Sequence, residues 1–174
     1  TADTVYSAIT PSDVTGSTSD DDAPGITITP TTGLTVTEAG GTANFTVVLD
    51  SQPTATVTVP IVSQDTGEGT VSVTSLTFTT TNWNIAQSVV ITGVDDAYVD
   101  GDIAYTVSVG APTGSDAAYT ALAAQTVNVT TTDNDVASSI TISATINGDE
   151  AGPVNASFSI ASSAQNVGTI TVPY

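Results

Sequence analysis

Over residues 26–135 apolar side chains alternate with Thr, Ser and Asn at a period of two, and the pattern resumes after every interruption. The stretches 35–37, 43–49, 54–62, 75–79, 88–94, 103–109 and 125–131 each place Val, Ile, Leu, Phe or Tyr on one face and mostly hydroxylated residues on the other. That is the pattern of strands with one face buried and one wet. The run 26–29, and its echo at 140–143, reads the same way. Clusters such as Asp50-Ser51-Gln52-Pro53 and Gly110-Ala111-Pro112-Thr113-Gly114 lie between them, and residues of these types supply turns. No segment carries a helical period, apart from a short turn of helix open to 117–124. Short strands at this spacing predict an all-β chain with Greek-key β-sandwich architecture.

The chain also repeats itself. Asp3, Tyr6 and Ile9 return as Asp116, Tyr119 and Leu122, 113 residues on, and at that offset Asp20-Asp21-Asp22 returns as Asp133-Asn134-Asp135. Thr56-Val57-Thr58-Val59-Pro60 returns as Thr169-Ile170-Thr171-Val172-Pro173, and Asn44-Phe45-Thr46-Val47 as Ser157-Phe158-Ser159-Ile160. Small gaps shift Ile26 to Ile140 and Glu38-Ala39-Gly40 to Glu150-Ala151-Gly152. A unit of this length exceeds a solenoid repeat and fits one self-sufficient sandwich, for which about 100 residues suffice. Residues 1–22 therefore read as the closing strand and acidic joint of one repeat, 23–135 as a whole immunoglobulin-like sandwich, and 136–174 as the opening part of a third. The expectation is of tandem repeats cut from something longer, with targeting signals elsewhere.

Composition sharpens this picture. Of 174 residues 18 are acidic and none is Lys, Arg or His, a formal charge of -18. Such a charge keeps a protein soluble but repels itself in the compact state, and it excludes nucleic acid and anionic membrane surfaces as partners. With 39 % hydrophobic and 10 % charged residues the chain is not of the disordered type and can bury a core. No apolar run approaches the roughly 18 residues that span a membrane. Cys is absent, so there are no disulfides, and the absence of Lys rules out Lys–Asn cross-links. Small extracellular domains usually need some reinforcement, and carboxylates without counter-charges point to metal ions.

The carboxylates stand at the ends of predicted strands: Glu38, then Asp65, then Asp95, Asp96, Asp100 and Asp102 in one loop, then Asp133 and Asp135 with Asn134 between them. In consecutive antiparallel strands the turn after Ile61, the loop 94–103 and the end of the last strand can share one pole. Two carboxylates about 5 Å apart repel by roughly 3 kcal/mol at an effective dielectric near 20, so five or six together would exceed a domain's usual margin of about 5–15 kcal/mol. A bound cation reverses that sign, and Ca2+, which takes 6 to 8 oxygens in flexible geometry, suits these ligands. Asp20, Asp21 and Asp22 are the equivalent ligands of the preceding repeat, and Glu150, the counterpart of Glu38, of the following one. The plain alternative is solvated turn residues, since Asp favours turns.

Catalysis is disfavoured. Without His, Cys or Lys there is no group titrating near neutrality, no thiol nucleophile and no base for the many hydroxyls. A glycosidase-type carboxylate pair is left, but no aromatic-lined groove accompanies the acidic residues.

The succession Thr37-Glu38-Ala39-Gly40, then Leu76-Thr77-Phe78-Thr79 through Trp83 to Val89-Val90-Ile91-Thr92-Gly93-Val94-Asp95-Asp96, then Asp133-Asn134-Asp135, resembles a Calx-beta or Calx-beta-like repeat of bacterial surface proteins over nearly all of 23–135. The resemblance implies calcium bound at one pole by Glu38, Asp95, Asp96, Asp100, Asp102, Asp133 and Asp135. The chain departs from that family in having Asp100 and Asp102 where Glu is common, and Asn134 in the terminal triplet. The expected role is a calcium-stiffened extender of a long secreted bacterial surface protein or adhesin, partnered by neighbouring repeats. The alternative is a subunit of an extracellular filament, sheath or surface layer whose part-domain is completed by another copy. Trp83 reads as a packing anchor, and Asn44, Asn128 and Asn155 head sequons inside predicted strands, although Thr/Ser-rich surfaces are open to glycans. Alternating Thr invites an ice-binding reading, but Thr on a wet strand face already has its explanation in β-propensity.

Overall fold

The computed structural model describes residues 12–146 and 157–162. Two sheets face each other. One has the order β1 (Ile26–Thr29), β3 (Thr42–Leu49), β7 (Gln87–Gly93), β5 (Gly69–Val71). The other has the order β2 (Leu34–Thr37), β10 (Gln125–Thr132), β8 (Ile103–Val109), β4 (Val57–Ser63), β6 (Ser75–Phe78), with β9 (Thr113–Gly114) paired to β4. Neighbours are antiparallel except β2 and β10, which run parallel from Leu34 opposite Val129 to Thr37 opposite Thr132. This is the strand order of an immunoglobulin-like sandwich.

Each predicted stretch contains a strand. The 54–62 stretch starts three residues late, at Val57, because the Thr54 N–H is taken by Asp116 Oδ2 at 2.7 Å and cannot join a ladder. The strands β5 and β9 escape the pattern, since three and two residues are too few to show a period. The possible helix in 117–124 is one turn, α1 (Ala117–Thr120), capped by the Asp116 side chain.

The inward positions form the core: Phe45, Val47, Val89 and Ile91 from the first sheet meet Val57, Val59, Ile61, Val107 and Val127 from the second, all buried. Trp83 packs against this cluster half-buried, as an anchor. Asn44 and Asn128 are exposed strand residues, and Asn155 lies outside the described residues. Every Asp and Glu of 23–135 lies in a connection rather than in a strand or in α1, so the sheet faces carry no charge and the carboxylates collect at the ends. No helix among the described residues is long and apolar enough to cross a membrane.

A separate two-stranded sheet pairs β11 (Ile140–Ile146) with β12 (Ser157–Ser162). Its register, with Ile142 opposite Ile160 and Ser143 opposite Ser159, is that of Ile28 opposite Val47 and Thr29 opposite Thr46 in β1 and β3. The same aligned positions are thus cross-strand partners in both pairs of strands. Ile28 and Val47 are buried, whereas Ile142 and Ile160 are each 53 % exposed.

Candidate metal centre

Strand pairing decides which connections meet. Because β2 is parallel to β10, both leave their sheet at the same end, and Glu38 emerges beside the acidic triplet; its N–H extends the ladder to the Thr132 carbonyl at 3.2 Å. Antiparallel pairing of β8 with β10 sets Ile103 opposite Thr131 and so delivers the loop 94–102 to that end. In the facing sheet Gly69 of β5 lies opposite Gly93 of β7, which brings Glu68 beside Val94. The Val94 N–H donates to the Glu68 carbonyl at 3.0 Å, and the Thr131 hydroxyl donates to it across the sandwich, also at 3.0 Å.

Local hydrogen bonds fix these carboxylates. Asp133 accepts from the N–H groups of Gly101 at 2.8 Å and Asp135 at 2.6 Å, and its own N–H donates to Asp102 at 3.2 Å. Asn134 donates its N–H to Glu38 Oε2 at 3.1 Å and its amide to Asp95 at 3.3 Å. Asp96 closes its own turn by accepting from the Tyr98 N–H at 2.7 Å. Gly101, at φ 80°, occupies the left-handed region that a Cβ disfavours, and this turns its N–H toward Asp133.

Two sets of oxygens result. One oxygen each from Glu38, Asp100 and Asp133 lie within 4.8 Å of one another, and so do oxygens from Glu68, Asp96 and Asp100. Oxygens bound to one Ca2+ at about 2.3–2.6 Å stand no more than roughly 5 Å apart, so both sets have the right span, and Asp100 joins them. Among the described residues, the buried side-chain polar atoms without a hydrogen-bond partner are Glu68 Oε2, Asp135 Oδ2 and the Tyr105 hydroxyl. All three belong to this pole. Buried polar atoms are nearly always paired, and a cation supplies what two orphaned carboxylate oxygens require.

The electrostatics agree. Burial, then the charges of Asp100, Asp65, Glu38 and Asp96, raises the pKa of Glu68. Burial, then Asp133, Asp95, Asp96 and Asp100, raises that of Asp135. For Glu38 the Asn134 N–H pulls downward, but burial and the charges of Asp133, Asp96 and Asp135 together outweigh it. The N–H groups of Asp135 and Gly101 lower the pKa of Asp133.

Of the residues singled out from the sequence, Glu38, Asp96, Asp100 and Asp133 fall in the two sets, and Asp95, Asp102, Asn134 and Asp135 border them. Asp65 does not join either set: it is exposed and its Oδ1 accepts from the Gly67 N–H at 3.1 Å, shaping the turn. Asp20, Asp21 and Asp22 are exposed, and Asp20 and Asp22 line a cleft of about 230 Å³ with Ser51, Gln52 and Asp116 at the other end of the sandwich. Glu150 lies outside the described residues. Sequence reasoning missed Glu68, which shares a connection with Asp65; the usable signal was a lone acid directly before a Gly-Thr-Val run. It also passed over Asp116 as a buried acid. That side chain accepts from the N–H and hydroxyl of Thr54 and from the N–H groups of Tyr119 and Ala118, which hold its pKa low, and is thereby fully occupied in structure.

No protein-family model matches the chain, and no curated protein sequence matches it. Several solved structures align with the chain at low identity. The calcium binding domain CBD12 of CALX1.1 aligns at 18 % identity and a TM-score of 0.46, over 67 % of this chain and 49 % of that one. The PapD-like domain 7 of human CEP192 aligns at 14 % and 0.45, over 74 % and 99 %, and the MSP-domain-like SSP-19 of Caenorhabditis elegans at 22 % and 0.40, over 61 % and 96 %. This chain thus spans about half the length of the CALX1.1 structure. Likeness at this level carries no ligand or role across.

Proposed function

We propose that residues 23–135 are a calcium-binding structural module, one repeat of a long secreted bacterial surface protein or adhesin that calcium stiffens. The observation that carries this reading is the pair of buried carboxylate oxygens, Glu68 Oε2 and Asp135 Oδ2, without partners in a chain that has no Lys, Arg or His. Two ions sharing Asp100 fit the two sets of oxygens, with Asp95, Asp102 and Asp135 at their border. The first ion would tie Glu38 at the end of β2 to Asp133 at the end of β10 and to the loop before β8. The second would tie Glu68, from the facing sheet, to the same loop. Clamping these connections fixes the point at which the chain leaves the module toward Val136. Extracellular calcium modules bind with Kd of about 0.1–1 mM, so the clamp would close on export. Calorimetric titration of the chain with CaCl2 after chelation tests this, with two ions bound and a raised melting temperature as the expected result. An unchanged melting temperature would sink the reading.

The β11–β12 sheet favours a second reading, assembly into filaments or layers. Its apolar residues Ile142 and Ile160 are exposed, while their counterparts in the module are covered by the facing sheet. Counterpart strands from a neighbouring copy would cover them. Electron micrographs of the purified chain distinguish the two, since regular fibres support assembly and dispersed particles do not.

A further inference from the structure

The third orphan at the acidic pole is not a carboxylate. Tyr105 projects inward from β8, is buried, and its hydroxyl has no hydrogen-bond partner. The phenol oxygen rests against Gly69: a Cβ at that position would overlap it. Gly69 follows Glu68, the other buried residue here with an orphaned oxygen. Two buried groups of opposite need, an O–H donor and a carboxylate acceptor, thus stand beside one short piece of backbone. That backbone is held by the Thr131 hydroxyl and by the N–H of Val94, so only the side chains are left to adjust. Burial raises the phenol's pKa, and the charges of Glu68 and Asp65 add to this. The Thr131 hydroxyl pulls the other way from outside hydrogen-bond geometry, being engaged with the Glu68 carbonyl. The phenol therefore keeps its proton and can act only as a donor toward an anion.

We infer that Tyr105 is a positioning residue for the Glu68 half of the centre: its hydroxyl donates to Glu68 Oε2, directly or through one water, when a cation engages the other oxygen of that carboxylate. Partners of this kind orient a ligand and raise its affinity. The inference rests on the calcium reading above. It assigns Tyr105 no contact with the ion.

The test uses the full chain with Tyr98→Phe as background, because Tyr98 sits in the loop between Asp96 and Asp100 and would add its own signal. Calcium should perturb the tyrosine absorption band of this protein, and the change should vanish in Tyr105→Phe and in Glu68→Gln, the latter keeping the phenol in place. Calorimetry should show the Glu38 set unaffected by Tyr105→Phe and the Glu68 set weakened about tenfold. Circular dichroism checks that each variant retains its strands. Binding of both ions to Tyr105→Phe with undiminished affinity would overturn the inference and leave the calcium reading standing, as would a tyrosine perturbation that survives Glu68→Gln. Failure of the parent chain to bind calcium at all would remove both.

Discussion

Glu68 shows how one side chain can weaken a fold or strengthen it according to what is bound. Its Oε2 lacks a partner, and its burial, then four neighbouring carboxylates, raise its pKa. Without a cation the charge is a burden on the folded state; with one it is a ligand. Glu68→Gln should therefore raise the melting temperature of the chelated protein and lower that of the calcium-loaded protein, a crossing of sign that thermal unfolding in the two buffers reads directly. The same logic fixes a pH dependence. Glu38 and Glu68 stand above their ordinary 4.5, and Asp135 above its ordinary 3.8. At mildly acidic pH the folded state therefore holds protons that the unfolded chain has released, and the stability these groups contribute is full below the ordinary values and is lost as pH rises through the raised ones. Asp133 and Asp116 are lowered, so their contribution is lost only as pH falls below 3.8. In chelator the melting temperature should fall as pH rises above the ordinary values of these three carboxylates. Saturating calcium should remove that fall, and an identical slope in both buffers would contradict the assignment.

At the scale of elements, alternation along the strands made the sandwich legible. Phe45, Val47 and Leu49 on β3, or Val57, Val59 and Ile61 on β4, are buried at every second position, and a period of two over seven or eight residues has no other economical reading. Phe45→Ala should cost about 3–5 kcal/mol in urea unfolding, while Val90→Ala, on the wet face of β7 and 37 % exposed, should cost less than about 0.5 kcal/mol. What alternation does not encode is pairing. The parallel contact of β2 with β10 leaves no trace in either strand, although it is what sets Glu38 against Asp133. Glu38, Asp96, Asp100 and Asp133 were legible as candidates because three of the four stand within two residues of another acid. Glu68 was not, because the turn it shares with Asp65 is settled by backbone geometry. Asp65 spends its side chain on the Gly67 N–H, and the next acid, Glu68, stands in the connection just before β5 and is buried at the pole.

For the whole molecule the decisive fact is how the charge is distributed. A net charge of -18 spread evenly would only dilute self-repulsion, whereas the strands among the described residues carry none of it and one pole holds both sets of clustered carboxylate oxygens. Repulsion at that pole therefore depends on whether it binds a cation, while the Thr- and Ser-rich faces add nothing to it. Monovalent salt can screen such repulsion but cannot coordinate. Raising NaCl from 0.01 to 1 M shortens the screening length from about 30 to about 3 Å, less than the span of either set, so salt should raise the melting temperature of the chelated protein substantially. The calcium-loaded protein, its pole already neutralised, should respond little. Differential scanning calorimetry across that salt range in both buffers makes the comparison. Equal responses would mean that the repulsion is distributed over the molecule rather than gathered where Glu38, Glu68, Asp96, Asp100 and Asp133 meet, and calcium would then have no single place at which to set the stiffness of the chain.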